Sequence, residues 1–256
     1  MWSLYEGEKF LEPLVFSNGK TQEDVINEVS KAIEAGYKLI LIKGMCGTGK
    51  SAIALNIARL YGKTSIVVPI KSLKEQYIYD YTNKLHILDK ENKRKLTIAS
   101  IVGRQNFTCK YKEESKNNLL HKKEKDSKLF DIFSGKTIHH SSNDTSCDNS
   151  LLPCKIEIKE KNIQVIKEYL KQNKLINISN ISSISDVRRM SVAPVCPYWS
   201  PIFPTEFDFN FKNSEKIPYT GLQNISYTIH QRKHGCSYYE QYHAYAHADI
   251  IIFNSH

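Results

Sequence analysis

Gly44-Met45-Cys46-Gly47-Thr48-Gly49-Lys50-Ser51 fits the pattern G-x-x-x-x-G-K-[ST]. Before it lies an apolar run, Leu39-Ile40-Leu41-Ile42, which reads as a short buried strand. After it, Lys50 to Leu60 reads as a helix with Ile53, Ala54, Ile57 and Leu60 on one face. Strand, glycine-rich turn and helix is the context in which this pattern holds phosphate. The glycines let successive backbone N–H groups turn inward around the phosphate oxygens, and the helix N-terminus adds its positive end. The stretch therefore predicts an ATP site lined by Gly44, Met45, Cys46, Gly47, Thr48, Gly49, Lys50 and Ser51. Lys50 is assigned to the β- and γ-phosphates and Ser51 to Mg²⁺, and these two are the candidate catalytic residues. Cys46 reads as a filler position. Gln22, upstream of the first strand, reads as an adenine contact or as a surface glutamine, and the second is the preferred reading.

Outward from the loop, strands and helices alternate. Thr21 to Ala35 carries Val25, Ile26, Val29 and Ile33 at helical spacing. Ser65 to Val68 reads as a second strand, Ser72 to Tyr81 as a helix and Leu96 to Val102 as a third strand. This β-α-β-α-β order predicts an α/β fold with a parallel sheet and crossover helices. After Gly103 the pattern breaks. Lys110 to Lys128 is charged and polar, Gly135 to Ser150 is low in complexity, and Pro194 to Pro204 holds four prolines. Ile156 to Leu170 and Ser237 to His247 each read as one helix. Asp249-Ile250-Ile251-Ile252-Phe253 is again a strand of the buried type. A sheet interrupted by a long insertion and resumed near the last residues is the resulting expectation.

Hydrolysis of ATP also needs an acidic pair at the end of a later strand. No apolar run among the 256 residues ends in Asp-Glu, and Asp249 precedes its strand. Either an atypical ATPase or the N-terminal part of a longer protein is expected, binding nucleotide weakly and turning none over by itself.

Composition narrows the class. With 41% hydrophobic and 25% charged residues the chain is neither largely disordered nor collagen-like. No apolar run is long enough for a membrane helix, and Met1 to Phe16 carries early acidic residues unlike a secretory leader. The net charge of +9 suits a polyanionic partner such as nucleic acid, but it is spread on both sides of Gly103 and marks no patch. A cytoplasmic, nucleoid-associated location without a membrane partner is the expectation.

Six cysteines in a reducing compartment point to metal ligands or free thiols rather than disulfides. Cys109, Cys147, Cys154, Cys196 and Cys236 all follow the phosphate loop. There are no C-x-x-C pairs, so local spacing alone is not diagnostic. Four of these thiols gathered by the fold would suit a [4Fe–4S] cluster or a structural Zn²⁺. Scattered buried thiols are the plain alternative.

Together these residues resemble the iron–sulphur DNA helicases of superfamily two, the group that includes the xeroderma pigmentosum group D and DinG helicases, and the archaeal members most. Pro69-Ile70-Lys71-Ser72-Leu73-Lys74-Glu75-Gln76 is similar to the segment that follows their second strand. Gly103-Arg104-Gln105-Asn106-Phe107-Thr108-Cys109 resembles the approach to their first cluster cysteine. Val195-Cys196-Pro197-Tyr198-Trp199 suits the third. Gly235-Cys236-Ser237-Tyr238-Tyr239 and the strand ending in Asn254 suit the fourth. The resemblance implies a RecA-like phosphate-loop sheet interrupted by a cysteine-bearing iron–sulphur insertion. It assigns the first part of motor domain one to residues 1–103, the cluster insertion to 104–240 and a return strand to 241–256. It implies ATP, Mg²⁺ and a [4Fe–4S] cluster as cofactors, with Cys109, Cys154, Cys196 and Cys236 as metal ligands. Cys147 is the rival to Cys154, which is preferred because Pro153-Cys154-Lys155 adjoins more regular sequence. Single-stranded and duplex DNA are the implied partners, with Lys71, Ser72, Arg104, Tyr198, Trp199, Arg232 and Lys233 as candidate contacts. Tyr198 and Trp199 also read as a shield for the cluster, Tyr238, Tyr242 and Tyr245 as core, and Lys122-Lys123 as a solvated loop. The rivals are a standalone nucleotide-dependent DNA-binding module with a structural metal site, and a zinc-stabilised phosphotransferase.

Overall fold

The computed structural model describes residues 2–121, 145–174, 176–177, 181–207, 210–221 and 224–255, with side chains described to Ser115 in the helix that ends at His121. Lys122-Lys123 and most of the Gly135–Ser150 loop lie outside them. The chain forms two compact units, Met1–Val102 with His247–His256, and Gly103–Ala246. Among the described residues, no helix is long and apolar enough to cross a membrane.

The first unit holds a small antiparallel sheet of β1 (Tyr5–Glu6), β2 (Lys9–Phe10) and β4 (Leu85–His86). Its helices are α1 (Gln22–Glu34), α2 (Lys50–Tyr61) and α3 (Lys71–Tyr79). α1 starts where the sequence signals a start. Thr21 accepts from Asp24 N–H while the Asp24 carboxylate accepts from Thr21 N–H, a reciprocal capping box. The main sheet is parallel, in the order β3 (Thr64–Val68), β9 (Ile250–Asn254), β5 (Ile98–Ile101). β9 pairs with both neighbours, Ile250 standing opposite Thr64 on one side and Ile98 on the other. Ile250, Ile251 and Ile252 are all buried, as a strand covered on both faces requires.

The core of this unit gathers Ile26, Leu55, Ala58, Val68, Ile87, Ile250 and Ile252. Asn56 is fully buried within α2. Its Oδ1 accepts from Ser3 N–H at 2.9 Å, and its Nδ2 donates to the Ser3 and Ala52 carbonyls at 3.1 and 3.0 Å. One amide thus satisfies buried backbone groups and ties the N-terminal segment to the helix that follows the phosphate loop.

Two expectations change here. The face predicted for α2 is incomplete, because Ala52, Leu55 and Ala58 are also buried and the helix is enclosed on more than one side. The predicted strand at Leu39–Ile42 is not formed. Leu39 and Leu41 are 91% and 94% exposed, and no backbone hydrogen bond joins residues 38–43 to another segment among the described residues. An apolar run reads as a strand, but a strand needs a partner edge to satisfy its backbone.

The second unit contains α4 (Lys110–His121), α5 (Ile163–Gln172) and an antiparallel sheet in the order β6 (Ile202–Pro204), β8 (Ser226–Gln231), β7 (Glu215–Thr220). α4 lies where the sequence reads as charged and irregular. The sheet has no counterpart in the sequence expectation, and Pro204 and Pro218 lie within its outer strands, where a missing N–H is tolerated. The helix expected over Ser237–His247 is three successive short turns, Ser237–Glu240, Gln241–His243 and Ala244–His247.

Candidate nucleotide and cysteine sites

The phosphate loop is shaped by its glycines. Gly47 and Gly49 adopt φ of +81° and +67°, a region that other residues enter at a cost. Gly49 is the N-cap of α2 and carries no side-chain cap, so the first-turn N–H groups face out of the helix start as anion donors. The Lys50 ammonium bends over the loop and donates to the Gly44 and Met45 carbonyls at 3.2 and 2.6 Å. Thr48 Oγ1 donates to the Met45 carbonyl at 2.8 Å. Ser51 follows in the first turn of the helix, partly exposed. Cys46 is exposed, and so is Met45.

Gln22 is not a surface residue. It is 3% exposed, its Nε2 donates to the Thr48 carbonyl at 3.1 Å, and its Oε1 accepts from Leu14 N–H at 2.9 Å. Its amide braces the loop from behind. A Cβ on Gly49 would lie 2.2 Å from Gln22 Nε2, so the Gln22 amide would have to leave its place against the loop. Beside the loop a cavity of about 550 Å³ is lined by Phe16, Val25, Ile40, Gly44, Thr48 and Lys50 among others. Its mixed apolar and loop-backbone lining, next to phosphate donors, suits a nucleotide.

In the second unit, five cysteines line one cavity: Cys109, Cys147, Cys154, Cys196 and Cys236. Arg104, Tyr111, Leu152, Tyr198, Tyr238 and Tyr239 complete the wall. Four of the thiols are buried and Cys154 is partly so. Cys109 and Cys147 stand side by side. Cys109 N–H donates to the Thr145 carbonyl at 2.6 Å and Cys147 N–H to the Phe107 carbonyl at 2.8 Å. Cys196 is held by Arg232, whose Nη1 donates to its carbonyl at 3.1 Å. Cys236 caps the short helix at Ser237, its carbonyl accepting from Tyr239 and Glu240 N–H at 2.9 and 3.0 Å.

Arg104 enters this cluster. Its Nη1 donates to Cys154 Sγ at 3.4 Å and its Nη2 to Tyr239 Oη at 3.2 Å, while the guanidinium lies 4.2 Å from the Tyr238 ring centroid. The Cys154 thiol is held down to about 6 by the hydrogen bond from the Cys196 thiol and by the Arg104 charge, against the opposing effect of burial. Cys236 is held down to about 7, chiefly by the Cys147 thiol. Cys147 is pushed up, because it faces both Cys109 and Cys236. Cys109 is held down as well, chiefly by the Cys147 thiol, so the thiols most ready to ionise lie beside Arg104 and at two helix starts. Among the described residues, no group of three or more His, Cys, Asp or Glu side chains is arranged to hold a metal ion.

The expected second cysteine was Cys154 with Cys147 as rival, and the structure brings both to the cavity. Tyr198 and Trp199 are 1% and 6% exposed and pack in the core around the cysteines, so they present no face to a base. Lys233 pairs with Glu114 at 3.1 Å and lies over the Tyr198 ring. Lys71 and Ser72 are exposed at the start of α3.

Comparison with curated proteins and with solved structures gives no match. A family model does match. That of the type III restriction enzyme res subunit covers residues 16–181, more than half of the chain. The matched span takes in Gln22, the phosphate loop, the α2–β3 unit behind it and the first three cysteines of the second unit. With the loop formed at the start of a helix and a parallel sheet behind it, the chain belongs to the family of the type III restriction enzyme res subunit, a family of helicase-like, nucleotide-dependent ATPase domains.

Proposed function

We propose that this chain is the ATP-cradling part of an iron–sulphur DNA helicase. In this reading residues 1–103 and the return strand belong to a RecA-like motor domain, and residues 104–240 form a cysteine-bearing insertion. ATP·Mg²⁺ sits at Gly44–Ser51, with Lys50 on the outer phosphates and Ser51 on the metal. Single-stranded DNA is the partner, and the reading follows the resemblance of the sequence to the xeroderma pigmentosum group D and DinG helicases.

The observation that carries this reading beyond a nucleotide-binding domain is the convergence of all five later cysteines on one cavity. The donor set is chemically that of an iron–sulphur cluster, all sulphur and shielded by aromatic rings. The cavity measures about 10 Å³, and seating a cluster is expected to move the thiols apart. When bound, the cluster would act as a rigid crosslink for a unit of short helices and a small sheet.

Anaerobic purification with iron, sulphide and zinc analysis tests this. About four irons per chain and a broad visible charge-transfer band support it. One zinc per chain, or no metal, would leave a nucleotide-binding domain with a thiol cluster of other purpose.

A further inference from the structure

The first unit holds a second cavity, of about 320 Å³, that shares no lining residue with the one beside the phosphate loop. It lies where β5 begins, lined by Thr97 and Ile98, by Gly7 in the turn between β1 and β2, and by the chain from Tyr81 to His86. Asp80–Lys84 is a helical turn wider than an α-helical one, closed by Leu85 N–H donating to the Asp80 carbonyl. Such turns are rare and recur at functional sites. This one brings Thr82, Asn83 and Lys84 to the cavity wall.

The lining is basic. Lys84, His86 and Lys95 contribute to it, and among the described residues no carboxylate does. The acids nearby are engaged or turned to solvent. Asp80 meets Lys84 only loosely, at 3.7 Å, and that lysine side chain is more than half exposed. Asp249 accepts from Thr97 N–H but is matched by two hydrogen bonds from Arg94. Glu6 stands opposite Leu85 in the β1–β4 pair and is exposed. His86 lies flat against the Tyr5 ring, with centroids 5.3 Å apart and planes 16° from parallel. Burial, and after it the Lys95 charge, holds its imidazole below the ordinary histidine value. Basic groups that converge with no acid between them oppose one another's charge, and a bound anion removes that opposition.

We propose that this cavity is a second anion site, separate from the ATP site, which takes a phosphate group, free or carried by a nucleic acid, on Lys84, Lys95 and His86. Asn83 and Thr97 supply neutral polar contacts beside them. The volume admits a phosphate together with the group it is attached to. The site is independent of the cysteine cavity, which belongs to the other unit.

Pyrophosphate titrated into the full-length chain carrying Lys50→Ala reads this site with the phosphate loop disabled. Binding is followed by calorimetry and by the His86 imidazole resonances, assigned with His86→Gln. The expected result is saturable binding of one pyrophosphate, with the His86 titration moved to higher pH because the bound anion favours the imidazolium. Adding Lys84→Ala and Lys95→Ala together should weaken binding about tenfold or more, and Lys95→Gln alone should weaken it to a lesser extent. Both lysines are exposed, and circular dichroism checks that the variants keep the fold. Competition with a thymidine oligonucleotide sets the source of the phosphate. Displacement of pyrophosphate assigns the site to a nucleic-acid backbone, and its absence assigns it to a free anion. No saturable binding in Lys50→Ala, equal affinity in the folded lysine variants, or a His86 titration unmoved by pyrophosphate would each overturn the proposal.

Discussion

Gln22 shows how one side chain sets the geometry of a loop distant in sequence. Its amide reaches the Thr48 carbonyl and leaves no room for a Cβ at Gly49. Gln22→Ala should keep the fold and weaken ATP binding roughly tenfold, about the loss of one well-placed hydrogen bond, measured by titration with a fluorescent ATP analogue. Gly49→Ala meets both a steric clash and an unfavourable φ, and binding should be lost more completely. Asn56 acts on stability instead. Asn56→Ala leaves the buried Ser3 N–H and C=O unpaired and should cost about 1–3 kcal/mol in denaturant unfolding, with little effect on nucleotide affinity in the folded fraction. The phosphate loop was legible because its chemistry fixes residue types at fixed spacing. Gln22 was not, because a buried glutamine and a surface one look alike until the loop it supports is in place.

At the scale of elements, β9 is the piece that closes the main sheet, and Asp249 anchors its entrance. The carboxylate takes two hydrogen bonds from Arg94, at 2.6 and 2.7 Å, and one from Thr97 N–H at 2.8 Å. These partners, Arg94 foremost, hold the Asp249 carboxyl below its ordinary value. A carboxyl with a depressed folded value contributes stability that is fully present above its unfolded value and is lost as pH falls through the folded one. The melting temperature should therefore drop on acidification below about pH 4, the ordinary carboxylate range. In Asp249→Asn that drop should be smaller, from a starting stability only slightly lower because Arg94 is half exposed to solvent. An equal acid response in the variant would remove Asp249 from this role.

Elements with a strong apolar signature were readable. Thr64–Val68, Ile98–Ile101 and Ile250–Asn254 all fall within or beside the runs that announced them. Those lacking one were not. Ser226–Gln231 mixes polar and apolar residues because its pairing, rather than its composition, makes it a strand. Leu39–Ile42 errs the other way, with a strand-like sequence and no paired edge in this structure. Burial patterns declare what a segment tolerates, and hydrogen-bond partners decide what it becomes.

For the whole molecule, the division into two units coincides with a change in the kind of core. The first is aliphatic and built on a parallel sheet. The second has one centre of thiols and aromatic rings and another packed around Ile156, Ile166, Tyr169 and Leu170. Sequence spacing left open whether the cysteines meet at all, since residues dozens of positions apart carry no local signal of contact. Their meeting, and the number that meet, became visible only in the fold. One chain carries both the phosphate loop and the thiol-lined cavity. Titration of anaerobically purified wild type and Lys50→Ala with a fluorescent ATP analogue and Mg²⁺, with iron measured on the same samples, tests both sites at once. The account predicts saturable binding by wild type, loss of that binding in Lys50→Ala, and equal iron in both. Binding that persists without Lys50, or a wild-type protein that binds no nucleotide, would contradict it.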